Sequence, residues 1–499
     1  MAYDFQGSAN DLDVLIVGTG FSGLCMGVKL MEAGMKSFLI LERAREVGGT
    51  WRDNDYPGCA CDIQSHLYSF SFEQNPDWTR MFAPQAEIKA YLRHCAEKYG
   101  LLPYIRFGSE MMEARYDETA AQWNVVTRDG RRYRARALVS GIGGLAIPSI
   151  PQVDGLETFQ GKRFHSANWD HEYDLRGKRV AVIGTGASAI QFVPKVAEQA
   201  ARLDLYQRTA SWILPKPDRT VSKFERKLFK WLPFTQRLFR SAIYWQLELR
   251  VIGFTMHSKM AQRAQTWAIR HIARYIKDKE LRRKLTPDYT IGCKRILMSN
   301  DYYQALKEPN VEVITDGIRE VRAHSIVTNE GREREVDAII LGTGFKAQDP
   351  IPRGTFFGRD GQDIVDAYKD GFEAYLGTTV HGFPNFFILM GPNTGLGHNS
   401  MVYMIESQVH YTLQCLRAMR TQQLREIDVR ADVQSRFNDW LQKDLADTVW
   451  SSGCRSWYLT AKGRNTVLWP GFTFTFRRMT RRFRTSDYVL ETEKESVHT

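Results

Sequence analysis

Three glycines, Gly18, Gly20 and Gly23, stand in the spacing G-x-G-x-x-G. An apolar run, Asp13–Val17, precedes them, and apolar residues at helical spacing (Leu24, Val28, Leu30, Met31) follow, closed by Gly34. That is the order strand, turn, helix. In such a turn the first glycine permits a tight bend, the second lets backbone approach a pyrophosphate, and the third allows close helix–strand packing. The anion then sits at a helix N-terminus, where unpaired N–H groups and the helix dipole favour it. Glu42 ends the next apolar run, Ser37–Leu41, 19 residues past Gly23. A carboxylate at that distance can accept hydrogen bonds from ribose hydroxyls.

A second copy follows. Arg179–Ile183 reads as a strand, then come Gly184, Thr185, Gly186, Ala187, Ser188 and Ala189, a helix through about Ala200, and a strand at Leu203–Tyr206. Alanine at the last motif position is allowed. The second strand ends in Gln207-Arg208-Thr209 rather than an acid. An acid there would repel a ribose 2′-phosphate, whereas Arg208 would pair with one. The first unit therefore suits a dinucleotide, and the second suits NADPH better than NADH.

Whole-chain properties bound the rest. The 499 residues exceed one ordinary core, and 43% hydrophobic with 25% charged residues is usual for a globular protein. The net charge of +11 collects in Lys223–Arg240, Lys277–Arg295 and Arg477–Arg482, without a nucleic-acid module. Seven cysteines, an odd number, and a polar opening at Met1–Gln6 lead us to expect reduced thiols and a cytoplasmic location. No apolar run reaches the roughly 18 residues of a membrane span. Cys59-Ala-Cys61 has C-x-C rather than C-x-x-C spacing, so it reads as packed thiols and argues against a disulfide reductase.

Gly/Pro-rich segments at Gly141–Gly144 and Pro148–Pro151 and a strand running into Gly342-Thr-Gly344 suggest that the second unit is inserted into the first. The expected fold class is α/β, with two Rossmann-like units. The first occupies 1–147 and resumes at 335–499; the second occupies 148–334, with a helical subdomain at about 220–290. The basic and apolar run from Lys223 to Phe234 admits two readings, a lid packed on the protein or a helix on a membrane surface, and the lid is preferred.

Two longer segments carry a resemblance. Phe159, Gly161, His165, Trp169 and Asp170 match the pattern F-x-G-x-x-x-H-x-x-x-W-D, and Gly48–Asp62 matches G-G-x-W-x-x-x-x-Y-P-G-x-x-x-D. Together with both glycine motifs, Gly391–Gly395 and Ser456–Tyr458, they resemble the type I Baeyer–Villiger monooxygenases from about residue 12 to 485. The resemblance implies FAD and NADPH as cofactors, a cytoplasmic enzyme, and a ketone and O2 as substrates. It implies that a flavin C4a-peroxide attacks the carbonyl and that the adduct rearranges to an ester or lactone. Gly292-Cys-Lys294-Arg295 resembles the segment of the family's arginine, so Arg295 would stabilise the oxygen anion and Asp62 would hold it. Lys294 would join Arg208 and Thr209 at the 2′-phosphate, and Trp457 would cover the nicotinamide. Ser22, Thr50, Trp51, Tyr68 and Met111 are expected among the cofactor-binding residues. His165 is expected to be hydrogen-bonded scaffolding without a proton-transfer role. A flavin N- or S-monooxygenase with the same cofactors is the alternative. A quinone or disulfide reductase and a non-catalytic binding protein are less favoured. No metal site is expected.

Overall fold

The computed structural model describes residues 11–254, 259–348, 351–368, 371–454 and 456–492. The polar opening Met1–Gln6 lies outside them. Both glycine units form as the apolar runs require. β1 (Asp11–Val17) leads into α1 (Phe21–Glu32) and then β2 (Phe38–Leu41). A one-turn helix α2 (Thr50–Asp53) and the helix α3 (Gln85–Lys98) follow. The strands β3 (Ile105–Arg106), β4 (Met111–Asp117), β5 (Gln122–Thr127) and β6 (Arg132–Ser140) complete this stretch. In the first sheet β1 lies between β6 and β2, parallel to both, while β4, β5 and β6 pair antiparallel. Val14–Val17 are buried on both faces, which is why the run is continuously apolar instead of alternating.

The second sheet is parallel and five-stranded. It contains β7 (Lys162–His165), β8 (Arg179–Ile183), β9 (Arg202–Tyr206), Val311–Ile314 and Ala338–Leu341. The helix α4 (Ala189–Ala197) follows β8. The F-x-G-x-x-x-H segment contributes β7, an edge strand of this sheet. Ala338–Leu341, expected beyond a boundary at residue 335, lies between β8 and β7. The chain rejoins the first sheet only afterwards, through Phe356–Phe357 on β4 and Phe386–Ile388 on β6.

The basic stretch folds as α5 (Lys223–Trp231), α6 (Pro233–Glu248), α7 (Lys259–Tyr275) and α8 (Lys279–Leu285). A Ser222–Glu225 capping box opens α5, and Pro233 starts α6 where its missing N–H costs nothing. Among the described residues no helix is long and apolar enough to cross a membrane.

The cysteines also depart from expectation. Cys293 and Cys454 form a disulfide, while Cys25, Cys59, Cys61, Cys95 and Cys415 are buried free thiols. The bond ties the Lys294-Arg295 segment to the chain just before Trp457. Odd cysteine counts and sequence spacing could not reveal it, because the partners are 161 residues apart.

Two outcomes follow. A Cβ on Gly161 would lie 2.5 Å from the Phe159 ring and 2.6 Å from the Asp337 carbonyl oxygen. Gly161→Ala should therefore lower unfolding free energy by roughly 1–3 kcal/mol, read by chemical denaturation. Peptide mapping without reductant should recover Cys293 and Cys454 in one linked species. Cys454→Ser should lower stability by roughly 2–4 kcal/mol, and equal melting with and without the bond would contradict the structure.

Candidate active site

The two glycine turns have the same construction. Gly18 (φ 98°) donates its N–H to Leu41 O at 2.8 Å, and Gly184 (φ 111°) donates to Tyr206 O at 3.1 Å. A side chain on Gly18 would meet Gly141 O at 2.8 Å, and one on Gly184 would meet Gly342 O at 2.4 Å. Each turn thus presses against the glycine that follows the neighbouring parallel strand, β6 in one sheet and Ala338–Leu341 in the other. Left-handed φ and this close approach both require glycine. A Cβ on Gly23 would fall 1.9 Å from Gly18 O, so the third motif position admits nothing larger there, whereas Ala189 is accommodated, buried, at the start of α4.

Neither α1 nor α4 has a side-chain cap or an acid in its first turn. In α1 the first bonded N–H is that of Leu24, to Gly20 O, which leaves the earlier N–H groups for another acceptor; in α4 Ile190 and Gln191 already donate to Gly186 O and Ser188 O. Gly48 and Gly49 bring a second glycine pair against Gly20; a Cβ on Gly49 would lie 2.9 Å from Gly20 Cα. The space beside Gly186 is open. These features fit two dinucleotide pyrophosphates, one at each turn.

Both turns open on one cleft of about 1750 Å³. That exceeds the roughly 300–1,000 Å³ of a typical single-ligand site. Of the expected residues, Gly18, Gly20, Ser22, Glu42, Thr50, Trp51, Asp62, Tyr68 and Met111 line it from the first sheet's side. Gly184–Ser188, Arg208, Thr209, Lys294, Arg295 and Trp457 line it as well.

Glu42 reaches the expected place at the end of β2, but its carboxylate is already engaged. It accepts from Thr19 N (3.0 Å), Thr19 Oγ1 (2.6 Å) and Ala44 N (2.8 Å), and pairs with Arg52 at 3.0 Å. A ribose hydroxyl would share these oxygens. Trp51 donates its indole N–H to Tyr68 Oη at 3.1 Å, their rings edge to face at 5.6 Å.

Asp62 and Arg295 form a direct ion pair in the cleft, keeping 30% and 41% of their side-chain surface open towards it. Burial works to raise the Asp62 pKa, yet the Arg295 charge and hydrogen bond outweigh it and hold the group below its usual value. The Asp62 charge raises Arg295 further, against burial. Tyr458 is buried beside the pair, and burial pushes its phenol up to about 12. Trp457 is 44% exposed; its ring lies 4.4 Å from that of Tyr458, and Gln348 donates to its carbonyl at 2.9 Å.

Lys294 sits 4.7 Å from the Tyr289 ring centroid. Burial and the charge of Arg208 lower its pKa. Among the described residues neither Lys294 nor Arg208 pairs with a carboxylate. Lys294 and Arg208 thus add positive charge to one region of the cleft wall, which Asp288 offsets in part. Cys59, by contrast, has its thiol pushed up to about 12 by burial. That opposes thiolate redox work.

The fingerprint residues Phe159, Gly161, His165, Trp169 and Asp170 do not line the cleft. His165, Trp169 and Asp170 border a separate pocket beside the second sheet. His165 Nδ1 accepts from Ala167 N at 3.0 Å and caps a short turn; burial lowers its pKa, against the hydrogen bond with Gly344. Trp169 packs edge-on against Phe164 at 5.1 Å, and Asp170 pairs with Lys162.

Sequence reasoning missed Gly141, Gly342 and Arg52 as partners of the turns. For the two glycines a signal existed, since each directly follows the apolar end of a strand.

Known proteins resemble this chain in sequence and fold. The flavin-binding monooxygenase-like family model matches residues 12–379. A Baeyer-Villiger monooxygenase of Pseudomonas aeruginosa is 59% identical over 97% of this chain and 92% of its own. One of Streptomyces coelicolor is 48% identical over 95% and 92%. The solved cyclohexanone monooxygenase from Rhodococcus sp. Phi1 bound to NADP+ superposes with a TM-score of 0.86 at 28% identity, covering 97% of this chain and 100% of that one. With such a match along most of its length, this chain belongs to the flavin-binding monooxygenase-like family, in its Baeyer–Villiger group.

Proposed function

We propose that this enzyme uses NADPH and O2 to insert one oxygen atom beside a ketone carbonyl, giving an ester or lactone. The observation that carries the reading is the Asp62–Arg295 pair in a cleft shared by both glycine turns. FAD bound at the first turn supplies hydride acceptance and oxygen activation. Gly18, Gly20, Ser22 and the α1 N-terminus would hold its pyrophosphate, with Thr50, Trp51, Tyr68 and Met111 around the rest. NADPH would occupy the second turn, its 2′-phosphate between Arg208, Thr209 and Lys294.

The chain's part in the chemistry is electrostatic. An oxygen nucleophile must stay anionic until it meets the carbonyl. A neighbouring acid would protonate it, but a guanidinium offers N–H donors and keeps its proton. Asp62 fixes the direction of those donors and offsets the cost of burying their charge. The same donors suit the oxyanion formed when the carbonyl is attacked. Trp457 and Tyr458 stand where they would exclude water from that step. The Trp-Asp ending of the fingerprint lies outside the cleft, so it marks the family without touching substrate.

The decisive experiment is NADPH oxidation against a ketone panel with the ester identified by mass spectrometry. Amines and sulfides oxidised in preference to every ketone would favour the N- or S-oxygenating alternative. Arg295→Ala should lose about 10²–10³-fold in ester formation while NADPH still reduces the flavin. Hydrogen peroxide should appear in place of ester. Unchanged ester yield in this variant would remove the assignment. Arg208→Ala should raise KM for NADPH about tenfold or more, leave kcat nearly constant and leave the reaction with NADH unaffected. An equal loss with both nucleotides would show that Arg208 does not read the 2′-phosphate.

A further inference from the structure

In the helical insert, α6 buries polar as well as apolar side chains. Facing the protein, α6 presents three buried polar side chains, Gln236, Arg240 and Glu248, beside the apolar Ile243 and Leu247. Arg240 donates to His66 O at 2.7 Å and Leu67 O at 3.1 Å, and Gln236 donates to Asn75 O at 2.7 Å. Glu248 accepts from Thr473 Oγ1 at 2.8 Å. Facing outward, α6 presents Phe234, Leu238, Trp245 and Leu249 just past its end, 51–65% exposed. Their spacing of four, seven and four residues puts them on one stripe. α5 continues the pattern with Phe224 (74% exposed) and Trp231 (78%) seven residues apart. Phe474, also exposed, extends it beside Trp245 at 6.1 Å.

Basic residues stand on the same helices, Lys223, Lys227 and Lys230 on α5 and Arg237 on α6, and the insert carries Arg263 and Arg270 on α7. Lys230 pairs with Asp77. Among the described residues Lys227, Arg237, Arg263 and Arg270 have no acidic partner. The exposed side of α5 and α6 therefore combines large aromatics with uncompensated positive charge. An aqueous surface disfavours this, whereas an anionic lipid interface satisfies it, because the rings enter the headgroup boundary and the cations meet phosphates. The insert also reaches the cleft: Phe254, Ala261, Ala264 and Trp267 line it.

We propose that the outer face of α5 and α6 docks on an anionic phospholipid surface, placing the cleft mouth where lipophilic ketones are concentrated. The enzyme lies on the bilayer without crossing it. The choice of substrate rests on the ketone-oxidising function proposed above; the docking does not.

The test uses FAD-loaded enzyme and sedimenting vesicles, either phosphatidylcholine alone or with phosphatidylglycerol. Binding to the anionic vesicles is expected, and about 1 M salt should release much of it, since screening then acts within about 3 Å. The triple variant Trp231→Ser, Phe234→Ser, Leu238→Ser should bind about tenfold less, as should Lys227→Glu with Arg237→Glu. Both should retain bound FAD and normal turnover of a small water-soluble ketone. Anionic vesicles should lower KM for a long-chain ketone in the parent enzyme but not in the triple variant. Absence of vesicle binding by the parent would overturn the proposal. So would light scattering that finds a dimer in the parent and a monomer in the triple variant, which would assign the face to a second copy of the chain. Sedimentation needs no turnover, so failure of the ketone chemistry would be seen separately.

Discussion

The site depends on one ion pair between residues 233 positions apart, Asp62 and Arg295. Two charges taken from water lose hydration, and their attraction often only restores that loss, so such a pair is weak evidence of stability. Its value lies in direction. Asp62 closes the segment that begins with the Gly48-Gly49 pair against Gly20, so its position is referred to the first turn. Arg295 follows Cys293, whose disulfide joins it to the chain carrying Trp457 and Tyr458. Through this pair the turn of the first sheet, the cationic segment and the C-terminal loop share one geometry.

The two sheets solve the same steric problem twice. A parallel strand must hand over to a helix in a few residues while backbone remains exposed to an anion. Gly18 against Gly141 and Gly184 against Gly342 are the same answer, with the same hydrogen bond to the end of the adjoining strand. The units differ where charge matters. The first ends β2 in Glu42, already tied to Thr19 and Arg52; the second ends β9 ahead of Arg208, which faces another cation. Position in the fold is repeated, and the two units differ in the side chain at that one place.

Both glycine turns were legible because their signals are local: buried parallel strands read as short continuous apolar runs, and each runs directly into its glycines. The helical insert was legible for the same reason, through apolar and basic residues at helical spacing. Long-range pairing was not. No periodicity says that Cys293 meets Cys454, or that Ala338–Leu341 inserts between β8 and β7. An apolar run of four residues fits either sheet equally well, and only strand order assigns it. The meeting of Asp62 with Arg295 was available through resemblance alone. The fingerprint shows the opposite limit. Its residues identify the family, yet Gly161 is fixed by contact with Phe159 and Asp337, and His165 by a turn it caps, well away from the chemistry.

The insert runs against the usual economy of an amphipathic helix. Burying Phe234, Leu238 and Trp245 would gain about 25 cal/mol for each Å² of apolar surface. Instead α6 uses part of its inner face for Gln236, Arg240 and Glu248. Buried polar groups are costly unless every bond is made, and a made bond fixes orientation more tightly than an apolar contact does. The inner face therefore holds α6 in one register on the body of the protein, and that register commits the aromatic stripe to the outside. A helix merely left over from packing would have no reason to fix its apolar side outward with three separate polar anchors. The combination of a pinned inner face and a basic, aromatic outer face is the arrangement expected when the outer surface itself has a partner.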